Sequence, residues 1–232
     1  MHFLKSLTTL FAGAALMGVA SAAAVNTKIS ARDSPFSDLG LDSDFWGTMD
    51  NYCRGTASSK RVVSSLQARA TAPNGYDVVS PGKYQGSFQV ITNGGAWTDF
   101  LVTCYGVVIV GDTTNAVAKN KFLAHFYAVD SFMDDLWSEL SGEVGKQDLT
   151  NMKAWVSLPD ISTAPPDLNR DNMQTVENKM KDLLKGLTGQ APTARYHSMS
   201  DASDRVGDIG TMQLNYADST VKIDGQDVAF GS

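Results

Sequence analysis

Cys104 and His125 are the two side chains of this sequence whose types and spacing can do nucleophilic chemistry together. Cys104 stands near the head of Thr103-Cys104-Tyr105-Gly106-Val107-Val108-Ile109-Val110, and His125 near the end of Lys121-Phe122-Leu123-Ala124-His125-Phe126. Both runs have the β-branched and aromatic character of strands. The polar stretch between them centres near Thr114-Asn115, so a hairpin folded about that midpoint sets Cys104 directly opposite His125. Opposed residues of an antiparallel pair have Cβ atoms ~5 Å apart on one face. At that distance an imidazole can take the proton of a thiol and leave a nucleophilic thiolate.

Other signatures are absent. The chain has no G-x-S-x-G elbow, no H-E-x-x-H, no C-x-x-C, no phosphate loop and no G-x-G-x-x-G. Cysteines and histidines scattered singly argue against a zinc site, and no cofactor or metal is expected. His197, in Arg195-Tyr196-His197-Ser198, either lines the site or is an ordinary strand histidine. Cys104 also has competing readings. Two cysteines, Cys53 and Cys104, suit a structural bridge in an oxidising compartment, closing a loop of about fifty residues. A buried, inert thiol in a Val-rich strand is the other alternative.

The compartment is read from the start of the chain. Lys5, the apolar run Leu7 to Val19 and Ala20-Ser21-Ala22 have the order of a secretory signal over residues 1–22. The mature protein is therefore expected to be secreted, extracellular and free of the membrane once the signal is removed. The formal net charge is −6, and loss of Lys5 takes it to −7. Such an acidic chain has no electrostatic reason to hold nucleic acid or an anionic membrane.

The elements that must position the pair follow from periodicity. Residues 23–70 read as a flexible leader or pro-segment with a short helix at Phe45 to Cys53; Lys60-Arg61 within it is a dibasic cleavage candidate. Residues 71–232 read as a single domain. Its strands are expected at Tyr76 to Ser80, Tyr84 to Ile91, Phe100 to Val110, Lys119 to Ala128, Ala154 to Leu158, Thr193 to Met199, Thr211 to Tyr216 and Val221 to Ile223. Two main helices are expected: Asp130 to Leu140, and Asp171 to Lys185, stopped at Gly186 or Gly189. That order implies α+β, a layered α/β sandwich with a mixed, largely antiparallel sheet.

The run T-C-Y-G-V-V-I-V…F-L-A-H-F, with the element order after it, resembles the Cys-His glutamine deamidases. The likeness is to the CheD-type chemoreceptor deamidases above all, and more distantly to the deamidase domains of cytotoxic necrotizing toxins. It covers roughly Thr98 to Asp224 and implies a catalytic Cys104 and His125, with Phe126 completing the family's H-F pair. It also implies that Thr98, six residues before the cysteine, orients the histidine. Thr98 reaches the imidazole only if the chain bends between them, because six extended residues span ~20 Å. Where the family has a Gly-Ser or Ser-Gly pair before the cysteine, this chain has Val102-Thr103. The implied activity is protein-glutamine deamidation, or transglutamination if an amine replaces water, on a partner protein; for an exported enzyme that partner is a host protein, as for an effector or virulence factor. The rival expectation is a non-catalytic secreted effector or binding protein stabilised by Cys53–Cys104. A third combines them, with Cys53 capping Cys104 until the bridge is reduced or the leader removed.

Overall fold

The computed structural model describes residues 34–54, 70–199 and 210–232. The signal-like residues 1–22 and Lys60-Arg61 lie outside the described residues. Among the described residues, three α-helices and ten strands are arranged as α1 Ser43–Cys53, β1 Tyr76–Val78, β2 Lys83–Phe88, β3 Gly95–Thr98, β4 Tyr105–Asp112, β5 Lys119–Phe126, α2 Asp130–Gly145, β6 Thr150–Pro159, α3 Arg170–Thr188, β7 Thr193–His197, β8 Met212–Asn215, β9 Val221–Ile223 and β10 Gln226–Asp227. The class is the α+β layered sandwich expected. Its strands are divided between two mixed sheets, ordered β1-β3-β8-β9-β10 and β2-β5-β4-β6-β7.

The second sheet is the middle layer. Helix α2 packs on β5 and β2, and α3 packs on β6, while β3 and β8 of the first sheet also meet β5. Strand β4 lies between β5 and β6, antiparallel to both. Its residues Tyr105 to Ile109 are all buried, which is why this stretch reads as a continuous apolar run rather than an alternating one. Helix α3 begins where the Asn169 side chain accepts the N–H groups of Asp171 and Asn172, at 3.0 and 3.2 Å. It ends on Gly189 at φ 78°, not at Gly186.

Six of the expected strands are cut short at one or both ends, and two strands, β3 and β10, were not foreseen. Phe100 to Cys104 is not extended: Phe100 has φ 64°, and β4 starts only at Tyr105. The new strands are short: β3 is four residues, Gly-Ala-Trp-Thr, and β10 only two. The chain therefore leaves the first sheet at Thr98, turns at Phe100 and enters the second sheet at Tyr105, with Leu101 N–H bonded to the Gly210 carbonyl at 3.0 Å in between.

The leader also differs from expectation where it is described. Phe36 is fully buried, and Phe45, Trp46, Met49 and Cys53 on α1 all lie in the core. Asp42 caps α1 by accepting the Phe45 N–H at 2.7 Å. The Asp134 carboxylate of α2 accepts the N–H groups of Phe36 and Ser37, at 2.7 and 3.1 Å, and the Ser37 hydroxyl at 2.5 Å. Residues 34–54 thus pack as part of the domain. Among the described residues, no helix is long and apolar enough to cross a membrane.

Glu177 of α3 is completely buried; neither carboxylate oxygen has a hydrogen-bond partner among the described residues, and the Lys181 ammonium stands 3.6 Å away. Burial raises its pKa from 4.5 to about 7, which Lys181 only partly opposes. An acid whose native pKa is raised contributes its full stability below the unfolded value and loses it as pH rises through the native one. Glu177→Gln is therefore expected to leave stability unchanged at pH 4. At pH 8 it should raise stability by on the order of 3 kcal/mol, read by chemical denaturation at the two pH values.

Candidate functional site

Cys104 occupies the last position of the crossing loop, one residue before β4. His125 is the penultimate residue of β5, and Thr98 the last residue of β3 in the other sheet. The register of the hairpin corrects the simple midpoint: Gly106 stands opposite His125, and Tyr105 opposite Phe126. The true turn lies one residue further along than the polar stretch suggested, which moves the partner of His125 two positions down β4. A two-residue shift preserves the face because side chains alternate with period two. Cys104 accordingly stays on the side of His125, and its sulfur, that of Cys53 and a ring nitrogen of His125 all lie within 4.8 Å of one another.

Thr98 does reach the histidine, and the left-handed turn at Phe100 is what permits it. The Thr98 hydroxyl donates to the Val79 carbonyl at 2.7 Å and lies 2.7 Å from His125 Nδ1. A hydroxyl has one proton to give. With that proton on Val79, the oxygen accepts from Nδ1–H, and the imidazole is held with Nε2 unprotonated. Nε2 is buried without a hydrogen-bond partner among the described residues. Desolvation lowers the His125 pKa from 6.5 to about 3, so the ring is neutral at any physiological pH. The Gly82 N–H, in the Pro81-Gly82 turn, fixes the His125 carbonyl at 2.8 Å.

The sulfur of Cys104 is joined to that of Cys53 in a disulfide, with Cα atoms 5.6 Å apart. The bridge alternative read from the cysteine count is thus realised. It is realised at the very thiol that faces the imidazole. Cys53, Cys104 and His125 make a Cys-Cys-His donor set that the scatter in the sequence did not suggest. With the two sulfurs bonded to each other, it offers no thiolate to a metal.

No protein-family model matches this sequence, and no curated protein does. The chemistry of the site is therefore argued from its own geometry.

Two more residues shape the loop that carries Cys104. A Cβ at Gly106 would meet Leu101 Cδ1 and Met212 Sδ, each at 2.8 Å, so those two side chains fill the space that glycine leaves where the crossing loop and β8 close over β4. A glycine inside a Val-rich strand is the sequence signal for such a close approach. His197 is fully buried and not part of the sulfur cluster. Its Nε2–H donates to the Val102 carbonyl at 3.1 Å, and its Nδ1 lies 2.8 Å from the Ser157 hydroxyl. It is neither a solvent-facing liner of the site nor an idle strand residue, since it holds the backbone two positions before Cys104. No periodicity in the sequence pointed to that contact, which joins residues 95 apart.

Proposed function

We propose that this protein is an exported protein-glutamine deamidase, described here with its nucleophile capped. In this reading Cys104 is the nucleophile, His125 the general base and acid, and Thr98 the group that orients the imidazole. The observation that carries it is a buried imidazole with one ring nitrogen within 4.8 Å of the Cys104 sulfur and its Nε2 without a hydrogen-bond partner among the described residues, the tautomer set by a hydroxyl that has already spent its proton on Val79. An inert core histidine is normally satisfied on both nitrogens. The likeness of the Cys104 and His125 strands to the CheD-type deamidases supports the same assignment, and so does the arrival of Thr98 from six residues upstream. Val102-Thr103 in place of a Gly-Ser pair remains a departure from that pattern.

The chemistry begins with reduction of the bridge by a dithiol, which is oxidised to its own disulfide as Cys53 and Cys104 become thiols. His125 Nε2 takes the Cys104 proton, and the thiolate attacks the carboxamide carbon of a substrate glutamine. Backbone N–H groups beside Cys104 are the donors for the resulting oxyanion. The C–N bond then breaks, and ammonia leaves with the proton carried by His125. Water, deprotonated by His125, cleaves the thioester to give glutamate and restore the thiol. An amine in place of water would give transglutamination. Because Gln to Glu adds a charge, the partner fitted to this chemistry is a regulatory protein, and export makes it a host protein. The buried disulfide is compatible with an extracellular protein, and the signal-like residues 1–22 support secretion.

One observation favours a second reading. Both sulfurs lie in the core, and the bridge ties α1 to the crossing loop, as a purely structural staple would in a secreted effector or binding protein. The two readings part on paired variants. Cys53→Ser and Cys104→Ser lose the same bridge and the same stability. The deamidase reading expects ammonia release from a denatured glutamine-rich protein by the first and none by the second. Inactivity of both variants, with both folded, would leave the staple reading standing. Within the deamidase reading, Thr98→Val should lower kcat in a Cys53→Ser background by about tenfold to a hundredfold, as other groups that orient a functional histidine do. Thr98→Ser should restore most of it, which steady-state kinetics can establish.

A further inference from the structure

Resting on the deamidase reading, we infer that α1 is seated where the substrate binds. The target glutamine is then carried on a protein helix, with apolar residues four, seven and eight positions before it. The side chain of Cys53 enters the site and ends on the Cys104 sulfur. A carboxamide carbon attacked by that sulfur must arrive along the same line, because the position of His125 fixes which side of Cys104 is served by the base. From Cys53 back along α1, Met49, Trp46 and Phe45 are the other buried residues. They lie four, seven and eight positions earlier, one face of a helix.

The remaining contacts of α1 are of kinds that a helix from another protein can make. The Thr103 hydroxyl, adjacent to Cys104, donates to the Met49 backbone carbonyl at 2.8 Å and would do so for any residue at that position. The Arg54 guanidinium lies over the Tyr127 ring at 5.0 Å, a seat for a cation directly after the target residue. Tyr52 donates to Asp167 at 2.9 Å. Apart from the sulfur–sulfur bond, nothing in this set depends on the helix belonging to the same chain. The Asp134 contacts with Phe36 and Ser37 are different in kind: they fasten the stretch before α1 and serve to hold it in place.

The test uses the full-length chain with Cys53→Gln, which puts a carboxamide on the seated helix. The expected result is conversion of that side chain to the acid, a gain of about one mass unit at position 53 as NH2 is replaced by OH. It is read by peptide mapping, and no gain is expected when Cys104→Ser is added. Weakening the seat with Trp46→Ala should slow this conversion by about tenfold or more. The same change should speed turnover of an added substrate, denatured casein, because the site is vacated more often. An intact carboxamide at position 53, in protein that deamidates casein through Cys104, would overturn the inference and leave the deamidase reading in place. Conversion of neither position 53 nor casein, in folded protein, would remove the deamidase reading itself and the inference with it. Conversion that proceeds equally with Trp46→Ala would show that the seat is not what presents the residue, and would also overturn it.

Discussion

On the deamidase reading, alanine at position 125 will lower glutamine turnover by the bridge-free Cys53→Ser protein by about a thousandfold, within the range of 10²–10⁴ for loss of a general acid–base. In that reading the size follows from His125 acting twice, first on the Cys104 proton and then on the departing ammonia. Nothing else in the site can substitute. His197 has its Nε2–H on the Val102 carbonyl, and the sulfur cluster contains no other imidazole or carboxylate among the described residues. Alkylation of Cys104 by iodoacetamide at neutral pH should slow in parallel, because a thiol with an ordinary pKa of ~8.5 is only a few per cent ionised there. A His125→Ala protein that keeps full turnover and full alkylation would remove the base from the mechanism. Because His125 is fully buried, its truncation also leaves a cavity, so turnover is read on protein whose fold has been verified by circular dichroism.

Opening the Cys53–Cys104 bridge is expected to cost about 4 kcal/mol of folding stability in the chain-entropy model for a loop of this length. The cysteines are 51 residues apart, and residues 55–69 of that loop lie outside the described part of the chain. The measurement is urea denaturation of wild type with and without reductant, beside Cys53→Ser without reductant. The curves of reduced wild type and of Cys53→Ser should coincide, both displaced from that of the bridged protein. Stability need not fall to nothing. Residues 34–54 keep their noncovalent anchors at Asp134, Thr103 and the core even when the sulfurs part. Those anchors also bear on reactivity. With Cys53 and Cys104 both in the core, a reductant reaches the bridge only when the segment lifts. Reduction by a small dithiol should therefore accelerate in step with sub-denaturing urea, whereas a bridge open to solvent would be reduced at a rate independent of it.

Much of the frame was legible in the sequence, for local physical reasons. The spacing of Met173, Val176, Met180 and Leu184 places one buried face on α3, and those four residues are buried. The apolar runs on either side of Thr114-Asn115 do form the β4–β5 hairpin. The count of two cysteines left one intramolecular pairing, and that pairing is present. Three things escaped. Strand β3 is too short for any alternation to register, and without it the division into two sheets was invisible. The stretch from residue 34 to α1 looked loose because its apolar residues are few. Phe36 is nonetheless fully buried, with its N–H held by Asp134 some hundred positions away in the sequence, and Leu39 and Leu41 pack partly buried against the core. The register of the hairpin was misplaced because turn composition marks a loop but not its centre.

What the sequence determined by itself is chemical type and face. It supplies a cysteine at the head of one strand and a histidine on the next, and period-two alternation puts them on one side of the sheet even when the register slides by two. Convergence was left to the tertiary structure. Thr98 belongs to one sheet, His125 to the other and Cys53 to a helix near the start of the described chain. They meet because Phe100 takes a left-handed turn, Gly106 leaves room for Leu101 and Met212, and a buried core fills when α1 is laid against it. Those are long-range packing choices. They are decided by the apolar area and volume that the whole chain can bury at once, which no local pattern of residues encodes.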